Sequence, residues 1–146
     1  MTLPLVAAFI MVAWDFSQDL VWSTILKLWI WPRGGAYFGV AVTNFLGWYL
    51  TVYVFCQLFA LYLRGRPTDP DSLPSCYWRQ AVLFYTASSV GNVLLVIRRV
   101  GKTVVSDPTG VEWRVSDITG TCALVSTFTM GVFALMAWVR LSDEAS

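Results

Sequence analysis

Two aspartates, one helical turn apart, are the residues in this sequence best suited to chemistry. Asp15 follows the apolar run LPLVAAFIMVAW, and Asp19 lies four positions later, so on a helix both carboxyl groups share one face. A carboxyl group in apolar surroundings retains its proton and can act as a general acid, and a second one beside it can act as the base. The same spacing also occurs where two hydrated carboxylates mark a helix end at a membrane surface, and this alternative stays open.

A lone amide and several aromatic side chains form the second group of candidates. Asn44 lies within a long uncharged segment, where it could orient a polar group of a ligand or hydrogen-bond to another helix. The aromatic side chains nearby could line a groove for a flat conjugated lipid, or could serve as interface anchors and core filler. They are Tyr37, Phe38, Trp48, Tyr49 and Tyr53. We expect Asp15 to point into the protein, toward Asn44 or a polar helix face, and Asp19 to be more hydrated.

The composition argues against metal, cofactor and nucleic-acid chemistry. Histidine is absent, and the three cysteines are too far apart for a CxxC pair. No phosphate-binding loop, zinc-protease motif or nucleotide fingerprint is present. The net charge of +1 gives no field that would attract nucleic acid. We therefore expect no metal, no cofactor and no nucleic-acid partner.

The elements that must position these residues are membrane helices. The chain is 57% hydrophobic and 13% charged, against about 25% charged in soluble domains. Its uncharged runs reach the roughly 20 residues that cross a bilayer. The sequence predicts an all-α polytopic membrane protein, one transmembrane domain over 1–146 with a bundle of about four helices near 2–20, 35–64, 77–98 and 118–140. Residues 21–33 would lie on the membrane surface or extend the first helix. The first helix lacks a basic n-region, so we expect it to be retained.

Two helix faces have distinctive patterns. Small residues recur every fourth position at Gly35, Gly39, Thr43, Gly47 and Thr51, which is typical of a face that packs closely on another helix in this chain or in a partner. In the third helix the polar residues share one face, which should turn inward because lipid cannot satisfy it. These polar residues are Tyr85, Ser88, Ser89 and Asn92. The polar segments 64–74 and 98–117 should be loops, the second containing the turn sequence SDPTG.

The runs MVAWDFSQDLVWS and LWIWPRGGAYFGVAVTNFLGWYL resemble the carotenoid biosynthesis protein family, in the C-terminal half of its longer members. The family pattern of WD, DP, W-x-W and GGxYFGVPxxNFLGW corresponds in this sequence to Trp14-Asp15, Asp19-Leu20, Trp29, Trp31, Gly35, Tyr37 to Val40, and Asn44 to Trp48. The chain departs from it at Leu20 and Ala41, where the family has proline. LFYTASSVGNVLL and LVSTFTMGVFALMAWVRL are similar to the closing helices of the family.

The resemblance implies a hydratase, a lyase that adds water to the terminal double bond of an acyclic carotenoid. Asp15 would be the acid, Asp19 its partner, and Asn44 would orient water. Trp14, Tyr37, Phe38 and Trp48 would bind the substrate, with no metal and no cofactor. The protein would be a multi-pass protein of the cell membrane. Its partners would be a carotenoid or other lipid-like substrate, membrane lipids, and other membrane subunits or a second copy.

A non-catalytic role is the alternative from a different functional class. The chain would then be a pigment-binding or structural subunit of a larger membrane complex. Two observations favour this alternative: the resemblance covers only about half the length of the longer family members, and two of the family's prolines are missing. The retained Trp14-Asp15 pair and the NFLGW sequence favour the enzyme.

Overall fold

A computed structural model describes residues 2–66, 73–97 and 103–143. Its first helix is α1, Thr2–Asp19, which continues as a wider π-helical segment, π1, over Leu20–Ile25. The second and third helices are α2, Val42–Leu63, and α3, Ser75–Leu94. The last helix is continuous from Val115 and consists of α4, Val115–Val125, a π-helical segment π2, Ser126–Gly131, and α5, Val132–Asp143.

The predicted all-α class is confirmed, with four helices in the described part of the chain. Three of them are long and apolar enough to cross a membrane: Thr2–Ile25, Val42–Leu63 and Val115–Asp143. The third helix, α3, does not meet the same criterion, since it carries the polar face predicted above. This helix ends at Leu94 and not at the predicted 98, because residues 95–97 form a turn in which each amide bonds to the third residue before it. Residue 98 itself and parts of the two predicted loops lie outside the described residues.

The second helix begins later than the sequence predicts, because residues 35–41 form a tight turn. The amide of Val40 donates to the carbonyl of Tyr37 at 2.9 Å, and Phe38 and Gly39 between them have φ angles of +52° and +86°. Positive φ at both central residues is the geometry of a type I′ turn and cannot belong to an α-helix. The prediction of a helix from 35 is therefore wrong, since an uncharged run indicates membrane depth and not helical backbone.

One end of the bundle is covered by a small structure that the sequence did not predict. Strands β1, Val104–Ser106, and β2, Glu112–Arg114, pair antiparallel and form a hairpin. This hairpin packs on the segment 26–41, with the rings of Phe38 and Trp113 5.1 Å apart. We call the hairpin and segment 26–41 the cap. Its strands are only three residues long, too short to show a period-2 pattern in the sequence.

The most buried cluster lies beneath the cap. It joins π1, the hairpin and α4 through apolar side chains, with the aromatic rings of the cap packed around them. The buried members are Leu20, Val21, Val105, Val115, Ile118 and Cys122. The cap is therefore held by its own apolar core, and it fixes the C-terminal end of the first helix, where one of the two candidate aspartates lies.

The inward polar face of α3 is confirmed for most of its residues. Tyr85 donates to the carbonyl of Ile10 at 2.9 Å, and the amide of Asn92 donates to the hydroxyls of Ser17 and Ser126, both at 3.0 Å. Ser89 donates to the Ser126 carbonyl at 3.1 Å. Ser88 instead bonds back to its own helix. These contacts tie α3 to the first and last helices.

Candidate functional site

The two aspartates of α1 are joined by the amide of Asn44, the third residue of α2. The Asn44 Nδ2 atom donates to Asp15 Oδ2 at 3.1 Å and to Asp19 Oδ2 at 2.7 Å. Helices α1 and α2 run antiparallel here, because Phe9 contacts Tyr49 and Phe16 contacts Phe45. This places the C-terminal turns of α1 beside the first turn of α2. The expected approach of Asp15 to Asn44 is confirmed.

Asp19 is the more buried of the two carboxyl groups, which reverses the sequence expectation. Its side chain is 1% exposed, whereas Asp15 is half-buried. The expectation assumed that the helix ends near Leu20 in a hydrated interface. The helix instead continues through π1, and the cap folds over that end. The Oδ1 atom of Asp19 is buried with no hydrogen-bond partner in the described part of the chain, and the indole of Trp29 lies beside the same carboxyl group.

Trp48, one of the predicted substrate-binding aromatics, lies beside Asn44 on the open side of α2. Both residues line a shallow groove of about 330 Å³ together with Thr43, Gly47 and Thr51. All of these lining residues belong to α2, and Trp48 is exposed. A molecule in this groove would reach Asn44, whose amide bonds to the two aspartates of α1.

The other three predicted aromatics pack within the protein. Tyr37 stacks on Phe16 with ring centroids 4.3 Å apart and donates its hydroxyl to the Phe16 carbonyl at 3.1 Å. Burial raises the pKa of the Tyr37 hydroxyl, so it stays protonated. Trp14 contacts Trp22 edge to face, and Phe38 contacts Trp113 in the cap. The structure brings Tyr37 close to the aspartate helix, and it places Trp14 and Phe38 in aromatic packing. Their role in substrate binding stays a prediction.

The predicted stripe of small residues is only partly a helix face. Gly35 and Gly39 lie in the turn before α2, so only Thr43, Gly47 and Thr51 share a helical face. A side chain added at Gly47 would meet nothing within 4 Å in the described structure. Within the described structure, no other helix of the chain therefore covers this face at Gly47. Contact with a partner stays a prediction.

Trp29 is a site residue that the sequence assigned only to the membrane interface and to the family pattern. The indole lies beside Asp19 because the chain turns back after π1, where Lys27 has a φ of +54°. Neither the turn nor the contact leaves a periodic signal in the sequence. The W-x-W spacing at Trp29 and Trp31 was the available signal, since an indole N–H is a donor that suits a carboxylate.

The comparisons with known proteins give one match. The family model described as carotenoid biosynthesis protein matches residues 1–108 of the 146. Searches among curated proteins and among solved structures each found no match. The matched range contains both aspartates, Asn44 and the first strand of the cap, and ends before the last helix. Because the match covers well over half of the chain, the protein belongs to the carotenoid biosynthesis protein family.

Proposed function

We propose that this protein of the cell membrane adds water to the terminal double bond of an acyclic carotenoid. The observation that carries the proposal is the pair of carboxyl groups held by one amide at 3.1 and 2.7 Å, within the range that matches the family. Such a pair, shielded from water, favours holding one proton over carrying two negative charges. It therefore combines a proton donor and a proton acceptor within one site.

The proposed reaction needs only these groups and water. Asp15, the less buried carboxyl group, donates its proton to the less substituted alkene carbon, which leaves a tertiary cation on the neighbouring carbon. The Asp19 carboxylate stabilises that cation and accepts a proton when water adds to it. Transfer of this proton back to Asp15 restores the starting state. Because Asn44 donates both of its N–H groups to the aspartates, its carbonyl oxygen is the atom that would orient the water.

The open groove on α2 supports access from the bilayer. A carotenoid is dissolved in the hydrocarbon, so its terminal group must reach the aspartates sideways from lipid. The groove of Thr43, Gly47, Trp48 and Thr51 reaches Asn44 from that direction. Trp48 would place its ring against the conjugated chain.

A second candidate function is a non-catalytic pigment-binding or structural subunit. The exposed surface of α2 favours it, since Phe45 is the one buried residue of this helix. Large apolar side chains cover the rest of its surface, among them Leu46, Leu50 and Phe55. Lipid would satisfy this surface, and so would another membrane protein or a second copy.

Pigment analysis distinguishes the two functions. The chain is produced in a host that accumulates an acyclic carotenoid, and extracts are analysed by chromatography with mass detection. The enzyme predicts a product heavier by one water molecule, lost with Asp15→Asn and Asp19→Asn but retained with Asp117→Asn, a matched change of an exposed carboxylate. Absence of hydrated product with the parent chain, together with pigment that copurifies equally with all variants, would support the subunit.

A further inference from the structure

A second pocket, separate from the aspartate pair, lies under the cap. It has a volume of about 200 Å³ and is enclosed by the end of the first helix, the segment after it and the start of the hairpin turn. Its polar lining includes Ser23, Lys27, Trp31, Ser106 and Asp107. Gly39 forms part of the wall, and a side chain there would meet the Asp107 Cβ atom at 2.9 Å. The pocket therefore depends on the backbone of the cap.

Two opposite charges line this pocket without neutralising each other. Lys27 and Asp107 form no ion pair with one another in the described structure. Burial acts to raise the pKa of Asp107, but hydrogen bonds from Thr109, Trp113 and Val111 outweigh it and hold the pKa below its usual value. Asp107 is therefore ionised at neutral pH. Its Oδ1 atom accepts three of these bonds and its Oδ2 atom only the Trp113 N–H, which leaves Oδ2 able to accept another.

One of the residues that line the pocket, Trp31, has a side-chain donor that no group in the described structure satisfies. The indole Nε1–H of Trp31 is buried and has no acceptor there. A buried donor without a partner costs about 1–3 kcal/mol elsewhere in proteins, and a bound acceptor removes this cost. Lys27 adds further donors, so one side of the pocket suits an anionic oxygen. The Asp107 carboxylate makes the other side suit a cation that carries N–H groups.

We expect the pocket to lie at the headgroup level of a membrane. It lies at the end of the bundle where the first helix ends and α2 and α4 begin. The adjoining segment exposes Leu26, Leu28 and Ile30, each by more than half of its surface. Apolar side chains of this kind, next to tryptophans, are typical of a segment that dips into the interface. The pocket would then open where lipid phosphates are most concentrated.

We propose that this pocket binds a zwitterionic headgroup of the phosphoethanolamine type, a function beyond the proposed hydration. The phosphate would accept hydrogen bonds from Lys27 and from the Trp31 N–H, and the primary ammonium would donate to Asp107 Oδ2. A phosphocholine group has no N–H to donate, and a phosphoglycerol group has no cation. The pocket should therefore discriminate against both.

Native mass spectrometry of the full chain in detergent tests the proposal. The probes are phosphatidylethanolamine, phosphatidylcholine and phosphatidylglycerol with identical acyl chains, and soluble glycerophosphoethanolamine. We expect phosphatidylethanolamine to be retained most strongly. Binding of the soluble compound as well would mean that the headgroup alone suffices, and binding of the lipid alone would identify the bilayer as the source. Equal retention of the three lipids, or preference for phosphatidylglycerol, would overturn the proposal.

Variants separate this pocket from general attraction between lipid and a basic protein. Lys27→Gln should weaken retention of phosphatidylethanolamine about tenfold, as expected for loss of a hydrogen bond between charged groups. Lys27→Arg should restore it. Arg33→Gln is the matched control, since it removes the same charge from an exposed neighbouring residue outside the pocket. An equal effect of Lys27→Gln and Arg33→Gln would overturn the assignment.

Discussion

Asn44 connects both aspartates to the second helix, so its replacement should lower the stability of the protein as well as its activity. We expect Asn44→Leu to lower the free energy of unfolding by about 2 kcal/mol, because two carboxyl groups lose a shared donor in a poorly hydrated place. Hydrated carotenoid should also disappear under the proposed function. Thermal unfolding in detergent measures the first effect. Thr43→Val on the adjacent exposed position is the control, and equal melting of both variants would contradict the bridging role.

Gly39 shows how one backbone position holds the cap in place. We expect Gly39→Ala to destabilise the protein by about 1–2 kcal/mol, because its φ of +86° disfavours any side chain and the added Cβ would meet Asp107. Gly47→Ala is the matched control, since that glycine is helical and surrounded by open space. Alanine there should be neutral or stabilising. Similar unfolding temperatures for the two variants would refute this account of the cap.

At the level of single residues, the sequence predicts which side chains of the site contact each other better than it predicts how deeply each is buried. The approach of Asp15 to Asn44 follows from the cost of a carboxyl group at membrane depth, which any helical arrangement must offset with a polar contact. The burial of Asp19 depends on the cap, which is formed by residues far along the chain. Trp29 reaches the carboxyl group for the same reason. The spacing of residues along the first helix contains no information about the cap, which is formed by residues distant in the sequence.

Among the elements, α3 is held by polar contacts, and these can be tested singly. Asn92 donates to hydroxyls on the first and last helices, whereas Ser88 bonds only to its own helix. Hydrogen bonds between membrane helices contribute about 0.6 kcal/mol on average, with a maximum near 1.7. We expect Asn92→Ala to lower stability by about 1–2 kcal/mol and Ser88→Ala to change it little. A larger loss for Ser88→Ala would show that the face is wrongly assigned.

Helix α2 packs on α1, and most of its remaining surface is exposed in the described structure. Replacement of Gly47 by leucine adds bulk to a face that nothing in the described structure covers, so the fold should tolerate it. If a second copy or another subunit packs there, Gly47→Leu should lower the oligomer mass measured by light scattering in detergent, while Leu58→Ala on another exposed part of α2 should not. An unchanged oligomer mass would contradict a protein partner at this face and would mean that lipid or substrate covers the groove.

The sequence patterns predict that the helices exist better than they predict where each helix begins and ends. The apolar runs locate all four helices, but the last helix begins at Val115 and ends at Asp143, three residues beyond the prediction at each end. Polar residues can occupy terminal turns, where backbone groups reach water. The SDPTG turn is recognisable because Asp107 caps it through its side chain. The flanking strands are too short to be recognised.

For the whole molecule, the native cysteines report how the chain lies in a membrane. Cys76 is exposed in the first turn of α3, Cys56 lies well inside α2, and Cys122 is buried under the cap. In intact membranes a water-soluble maleimide should therefore label Cys76 and spare the other two. Unfolding in detergent should expose all three, which controls for reagent quality. Labelling of Cys56 in the native membrane would contradict the assignment of α2 as a span.

The three candidate spans differ in length, and this matters for the surrounding lipid. At about 1.5 Å per residue they measure about 36, 33 and 44 Å, around a hydrocarbon layer of about 30 Å. All three exceed that layer, the last helix by the most, so the last helix must tilt or the lipid beside it must thicken. The shortest span, α2, is also the one that bears the groove next to Asn44. A hydrocarbon chain would therefore enter that groove from the lipid that the protein perturbs least.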